Sequence, residues 1–164
     1  MIHSDYIRLN RILAGVIFLI SFIVYFDTMA PTVSYWDCGE FIAVSHTLGV
    51  PHPPGSPFFL LVGRIASMLP INADIAFRVN ILSPLTSALA VMFLYLIIVQ
   101  VVVHWRGKLE SAHDALVAFG GAIVGSMVFA FTDSHWFNAV EAEVYAFSTF
   151  FTAIVVWLIL HWSE

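Results

Sequence analysis

The 164-residue chain is 60% hydrophobic and only 10% charged, with a mean hydropathy of +0.92. A soluble domain is nearer half apolar and a quarter charged, so this excess excludes a water-soluble fold and points to the lipid bilayer. The net charge of −5 leaves no basic footprint for nucleic acid, and the lone Cys38 permits no internal disulfide.

In chain order, four membrane spans are expected. The first covers residues 11–30 and contains "RILAGVIFLISFIVY". A cleaved signal ending at "TMA" (residues 28–30) is the alternative, and the further spans downstream favour an uncleaved helix. Residues 79–105 contain no Asp, Glu, Lys or Arg and form the clearest span, with Pro84 placed to kink its start. The third, residues 115–132, carries Gly121 and Gly125 at the small-xxx-small spacing of close helix contacts. The fourth, residues 144–163, has Trp157 and Trp162 toward an interfacial end. Arg8 and Arg11 before the first span, and Arg106 and Lys108 after the second, predict a cytoplasmic N-terminus. The segments 31–78 and 133–143 then share the opposite face. Within the former, "SPFFLLVGRIASMLP" is too short to span, is interrupted by Arg64, and reads as an interfacial helix. The fold class is therefore an all-α polytopic membrane protein: about four transmembrane helices plus short interfacial helices in the first outer loop, in a single domain over residues 1–164.

The polar residues concentrate in these two outer loops. Ser34 and Asp37 fit a capping box that starts a helix at about Tyr35, and Gly49 with Pro51 beyond it ends that helix. Asp37 and Glu40, three apart, share one helical face, and His46 falls on the other. Asp37 is thus either a cap or a functional acid. Pro51, Pro53, Pro54 and Pro57, with a turn at Gly55, stiffen the backbone around His52. In the second loop Glu141 and Glu143 are two apart, so on a helix they diverge and only one faces a given cavity. Glu143, nearest the membrane, is the candidate. Arg78 either pairs with one of these carboxylates or binds an anionic group such as a lipid phosphate. Cys38 sits between acids that disfavour its thiolate, so it is a poor nucleophile. The loops together read as one outward-facing site of Asp37, Glu40, Glu143, His52, Arg64 and Arg78. No spacing matches a ligand motif such as H-E-x-x-H, so no metal and no cofactor is assigned; a divalent ion is conceivable from residue types alone.

At "DCGEFIAVSHTLGVPHPPGSPFFLLVGRIA", "AFRVNILSPL" and "HWFNAVEAEVYAFS" the sequence resembles the membrane proteins grouped as domain of unknown function 2723. These are related to protein O-mannosyltransferases, of the GT-C class of glycosyltransferases. The positions that match are Asp37, Gly39, Glu40, Gly49, His52, Pro53, Pro54, Gly55, Pro57, Arg78, Asn80, Trp136, Glu143 and Val144. The resemblance implies an enzyme that takes a sugar from a polyprenyl-phosphate donor to a hydroxyl, on a protein Ser or Thr or on a glycan. It implies Asp37 as the catalytic residue with Glu40 beside it; His52, Arg78, Asn80 and Glu143 are expected to bind substrate, and Arg78 or Arg64 to stabilise the departing lipid phosphate. The expected location is a bacterial inner membrane with the site outward. The family's modules have seven or more spans, so the chain is expected to be an N-terminal portion or to need a partner subunit. The alternative is a non-enzymatic membrane subunit or transporter fragment that uses the same acids as a polar lining.

Overall fold

The computed structural model describes residues 4–53, 55–107 and 109–162. Pro54, Lys108 and Ser163, used in the sequence reading, lie outside the described residues. The described residues form the helices α1 (Ser4–Thr28), α2 (Cys38–Thr47), α3 (Pro57–Met68), α4 (Ile75–Asn80), α5 (Leu82–Arg106), α6 (Ala112–Ala130), α7 (Asp133–Ala139) and α8 (Val144–Trp162), joined by turns and loops. Four helical stretches are long and apolar enough to cross a membrane: Tyr6–Thr28, Ile75–Arg106, Ala112–Ala130 and Val144–Trp162. At 1.5 Å per residue a 25-residue helix such as α1 or α5 reaches about 37 Å, more than the roughly 30 Å of hydrocarbon.

The span boundaries follow from local chemistry. The first helix begins earlier than expected and takes in Arg8 and Arg11, because nothing in "SDYIRLN" breaks a helix. Pro84 has no N–H to offer the carbonyl of Asn80, and the chain turns at Ile81, between α4 and α5. A reciprocal cap starts α6. The Ser111 hydroxyl accepts from the Asp114 N–H at 3.2 Å, and the Asp114 carboxylate accepts from the Ser111 N–H at 3.1 Å.

α5 is the central element and packs against α1, α6 and α8. The close face of α6 is a stripe of Ala115, Ala118, Ala122 and Ser126, all buried. The expected Gly121/Gly125 seam is thus corrected. A methyl added at Gly121 would meet nothing within 4 Å, and only Gly125 approaches α5, where that methyl would lie 3.1 Å from Ile98. The outer surface of α8 carries Val155, Leu158 and Ile159, exposed as a lipid-facing side requires.

A second, smaller core caps one end of the bundle. It joins Phe41 and Ile42 of α2, Phe59 and Leu60 of α3, Ala76 and Val79 of α4, Ala142, and Phe147 of α8. Three polar ties fasten the chain around it. The Ala30 N–H donates to the Val140 carbonyl at 2.8 Å. The amide of the fully buried Asn80 donates to the carbonyls of Ala30 and Thr32 at 2.9 and 3.0 Å. The Trp136 indole donates to the Thr28 hydroxyl at 3.1 Å. These bonds bring the loop after α1 against the turn between α7 and α8, so the two loops meet at one end of the bundle.

Candidate functional site

The first loop reaches the site through a turn that differs from the expected capping box. The Ser34 hydroxyl crosses to the second loop and donates to Glu141 at 2.6 Å. Asp37 occupies the position before α2 in a helical conformation, and its side chain makes no capping hydrogen bond. The cap alternative for Asp37 is therefore excluded by geometry, and its carboxylate stays exposed at the start of α2. Trp36 just before it is left-handed (φ 62°) and 84% exposed, a conformation rare for a bulky side chain. At the other end of α2 the left-handed residue is Leu48 (φ 54°), not Gly49 as its glycine suggests; the Gly49 N–H closes onto the Val44 carbonyl at 2.9 Å.

Glu40 does one clear thing. Its carboxylate accepts the His52 backbone N–H at 2.9 Å and contacts the His52 Nδ1 at 2.6 Å, so it fixes both the loop and the ring. Donor atoms of Asp37, Glu40 and His52 lie within 4.8 Å of one another. The side-chain hydrogen bond to Glu40 raises the His52 pKa, and the same bond lowers that of Glu40. The contribution of His52 is complete below the ordinary histidine value of 6.5 and fades as pH climbs through its raised pKa. That of Glu40 is complete above the ordinary 4.5 and fades as pH falls through its lowered pKa. The pair is thus fully ionic from about pH 4.5 to about 6.5. NMR of ring-labelled histidine is expected to show His52 titrating above the usual range and returning toward it in Glu40→Gln; a His52 that titrates at or below the usual value contradicts the pairing.

One residue along the chain, the buried Cys38 faces the second loop. Its thiol lies 3.7 Å from Glu143 Oε1, and donor atoms of Cys38, Glu141 and Glu143 lie within 4.8 Å of one another. All three residues are buried. Burial first, then the charge of Glu141, pushes the Glu143 pKa up, and burial pushes the Cys38 thiol up to about 12. The expectation that only one of Glu141 and Glu143 faces the site is overturned. Residues 140–143 lie between α7 and α8 rather than on a helix, so helical divergence does not apply.

The cations sit elsewhere. The Arg78 guanidinium donates to the carbonyls of Asn72, Ser67 and Ala73 at 2.6, 2.9 and 3.5 Å, and so braces the turn between α3 and α4. The pairing of Arg78 with a carboxylate of the second loop is therefore corrected: the short α4 carries Arg78 on the side of its own preceding turn. Arg64 donates to the His46 carbonyl and lies 3.4 Å from its ring nitrogen. The structure thus brings together Asp37, Glu40 and His52 in one group and Glu143 with Cys38 and Glu141 in a second, and gives Arg64, Arg78 and Asn80 backbone partners.

Residues 37–164 match the family described as "Protein O-mannosyl-transferase TMEM260 N-terminal domain". The chain belongs to that family. It is 31% identical over 145 residues to "Protein O-mannosyl-transferase tmem260" of Dictyostelium discoideum, covering 87% of this chain and 16% of that protein. It is 29% identical over 141 residues to "Protein O-mannosyl-transferase TMEM260" of Mus musculus, covering 86% of this chain and 18% of that one. The chain therefore spans less than a fifth of the length of these relatives. Both are eukaryotic, so they lend no support to a bacterial inner membrane. No solved structure matches.

Within the TMEM260 N-terminal domain, the matched segment begins at Asp37 and takes in both loops. Two participants escaped sequence reasoning. Helical spacing leaves Glu141 open against Glu143, and the turn at "NAVEAEV" brings in both. Cys38 reads in sequence only as a poor nucleophile, and its burial against the second loop has no local sequence signal.

Proposed function

We propose that the chain is the N-terminal part of a GT-C-class membrane glycosyltransferase that moves a sugar from a polyprenyl-phosphate donor to a protein Ser or Thr hydroxyl. The relatives' names point to mannose as the sugar. The observation that carries the reading is Asp37: an exposed carboxylate, free of any capping bond, beside the ionic Glu40–His52 pair and at the junction of the two loops. In the reaction the acceptor oxygen attacks the anomeric carbon and the bond from that carbon to the phosphate oxygen breaks. Asp37 takes the hydroxyl proton, and the polyprenyl phosphate leaves with the bonding pair. A carboxylate is too weak a base to ionise an alcohol beforehand. The proton therefore moves late, as charge builds on the attacking oxygen, and positioning supplies much of the acceleration.

The other residues divide by what they hold. His52, gripped at Nδ1 by Glu40, offers its remaining ring nitrogen and its positive charge to the leaving phosphate. Glu40 is a positioning residue rather than a second base. Asn80 and Arg78 act through the backbone segments they brace, and Arg64 ties α3 to the end of α2 through the His46 carbonyl. The site faces outward in this reading, with Arg8, Arg11 and Arg106 at the cytoplasmic end of the bundle.

The test is a transfer assay on membranes that contain the protein at its natural length, with polyprenyl-phosphate mannose and a Ser/Thr peptide. Mannosylated peptide is expected. Absence of transfer from any polyprenyl-phosphate sugar would move the reading to a transport-type polar lining.

A further inference from the structure

The second polar cluster is a different kind of object from the first. Two carboxylates and a thiol lie buried together, with Glu141 and Glu143 only 6% and 7% exposed and Cys38 fully buried. Buried carboxylates ordinarily need a cation or a full set of donors. Arg64 and Arg78 are turned to backbone carbonyls, and His52 is held by Glu40. Ser34 satisfies one oxygen of Glu141, but the other, Oε1, is buried with no hydrogen-bond partner. A buried carboxylate oxygen without a partner, in a cluster that also offers a thiol and a second carboxylate within 4.8 Å, is a donor set suited to a cation. The exposed cluster lacks this signature, because its imidazole Nδ1 is already committed to Glu40 at 2.6 Å.

We propose that Cys38, Glu141 and Glu143 bind a divalent ion of borderline softness, zinc in type, which clamps the first outer loop to the second. Thiolate with carboxylates selects such an ion over magnesium or calcium, which take oxygen alone. The spacing suits it. Zinc bonds of about 2.3 Å to sulfur and about 2.0 Å to oxygen at a tetrahedral angle set sulfur and oxygen about 3.5 Å apart. Cys38 Sγ and Glu143 Oε1 are already at 3.7 Å. The ion neutralises the buried acids, and with Ser34 bonded to Glu141 it fixes the peptide that carries Asp37. This inference stands on the buried cluster and does not depend on the transferase reading.

The test uses the protein at its natural length, in lipid nanodiscs, stripped with chelator and titrated with zinc and then with cobalt. One equivalent of zinc is expected by elemental mass spectrometry, and cobalt should give a thiolate charge-transfer band in the near ultraviolet. Cys38→Ser should remove that band. Glu141→Gln and Glu143→Gln should each weaken zinc binding by at least about tenfold, consistent with loss of a ligand. Asp37→Asn and His52→Ala should leave it unchanged. A wild-type protein with no cobalt–thiolate band overturns the proposal whatever the variants do. So does zinc binding that survives Cys38→Ser at full affinity, or that is lost in His52→Ala instead.

Discussion

Asp37→Asn is expected to lower sugar transfer by about 10²- to 10⁴-fold, the range that a positioned proton acceptor contributes. The substitution is close to isosteric and removes the negative charge together with the ability to take a proton. Its structural cost is small, because the Asp37 side chain makes no capping bond and is exposed. Asn is in any case as good a residue at that position as Asp. Donor-lipid affinity and thermal stability should therefore remain near wild type while turnover collapses. Those three readouts, taken on the protein at its natural length, separate a base from a structural residue. Equal turnover in Asp37→Asn would remove the base assignment.

Gly63→Ala is expected to cost about 1–3 kcal/mol of stability through overpacking. α2 and α3 cross so closely that a methyl on Gly63 would sit 2.5 Å from the Ser45 hydroxyl and 2.9 Å from the Ser45 Cβ. A rotation of the hydroxyl relieves the first clash and cannot relieve the second, since Cβ moves only with the backbone. The helices must part, and the strain falls on the core of Phe41, Phe59 and Val79 that supports the Glu40–His52 pair. Ser45→Ala should fail to rescue the thermal midpoint in detergent, because it keeps the Cβ. Ser45→Gly should rescue it in part, less the roughly 1 kcal/mol that glycine costs inside a helix. An unchanged midpoint in Gly63→Ala would show that the two helices do not pack this way.

Much of this architecture was legible because hydropathy over 18 or more residues is a long-range average that tolerates local error. The four spans, the short helix at Pro57–Met68 and the break near Pro84 all follow from apolar length and backbone chemistry. The polar site was legible in part, for the same local reasons: a proline-stiffened loop presents His52, and Glu40 lies close enough to grip it. What failed were the side-chain partners that only the tertiary fold decides. Ser34 reads as a cap, yet it bonds across 107 positions to Glu141, a partner no window contains. Arg78 reads as a counter-charge for acids, but the nearest carbonyls claim it first. A helical rule separates Glu141 from Glu143 but does not govern the turn they occupy, so the buried cluster with Cys38 is not legible from spacing.

The account stands on the two loops meeting at one end of the bundle, and the Ser34–Glu141 contact tests that most directly. In a Cys38→Ser background, cysteines at Ser34 and Glu141 should be joined in membranes by a short two-carbon bis-thiosulfonate cross-linker. Mass spectrometry would then recover residues 34 and 141 in one linked peptide pair. Two cysteines that each label singly with maleimide but never cross-link would contradict the shared site and everything built on it.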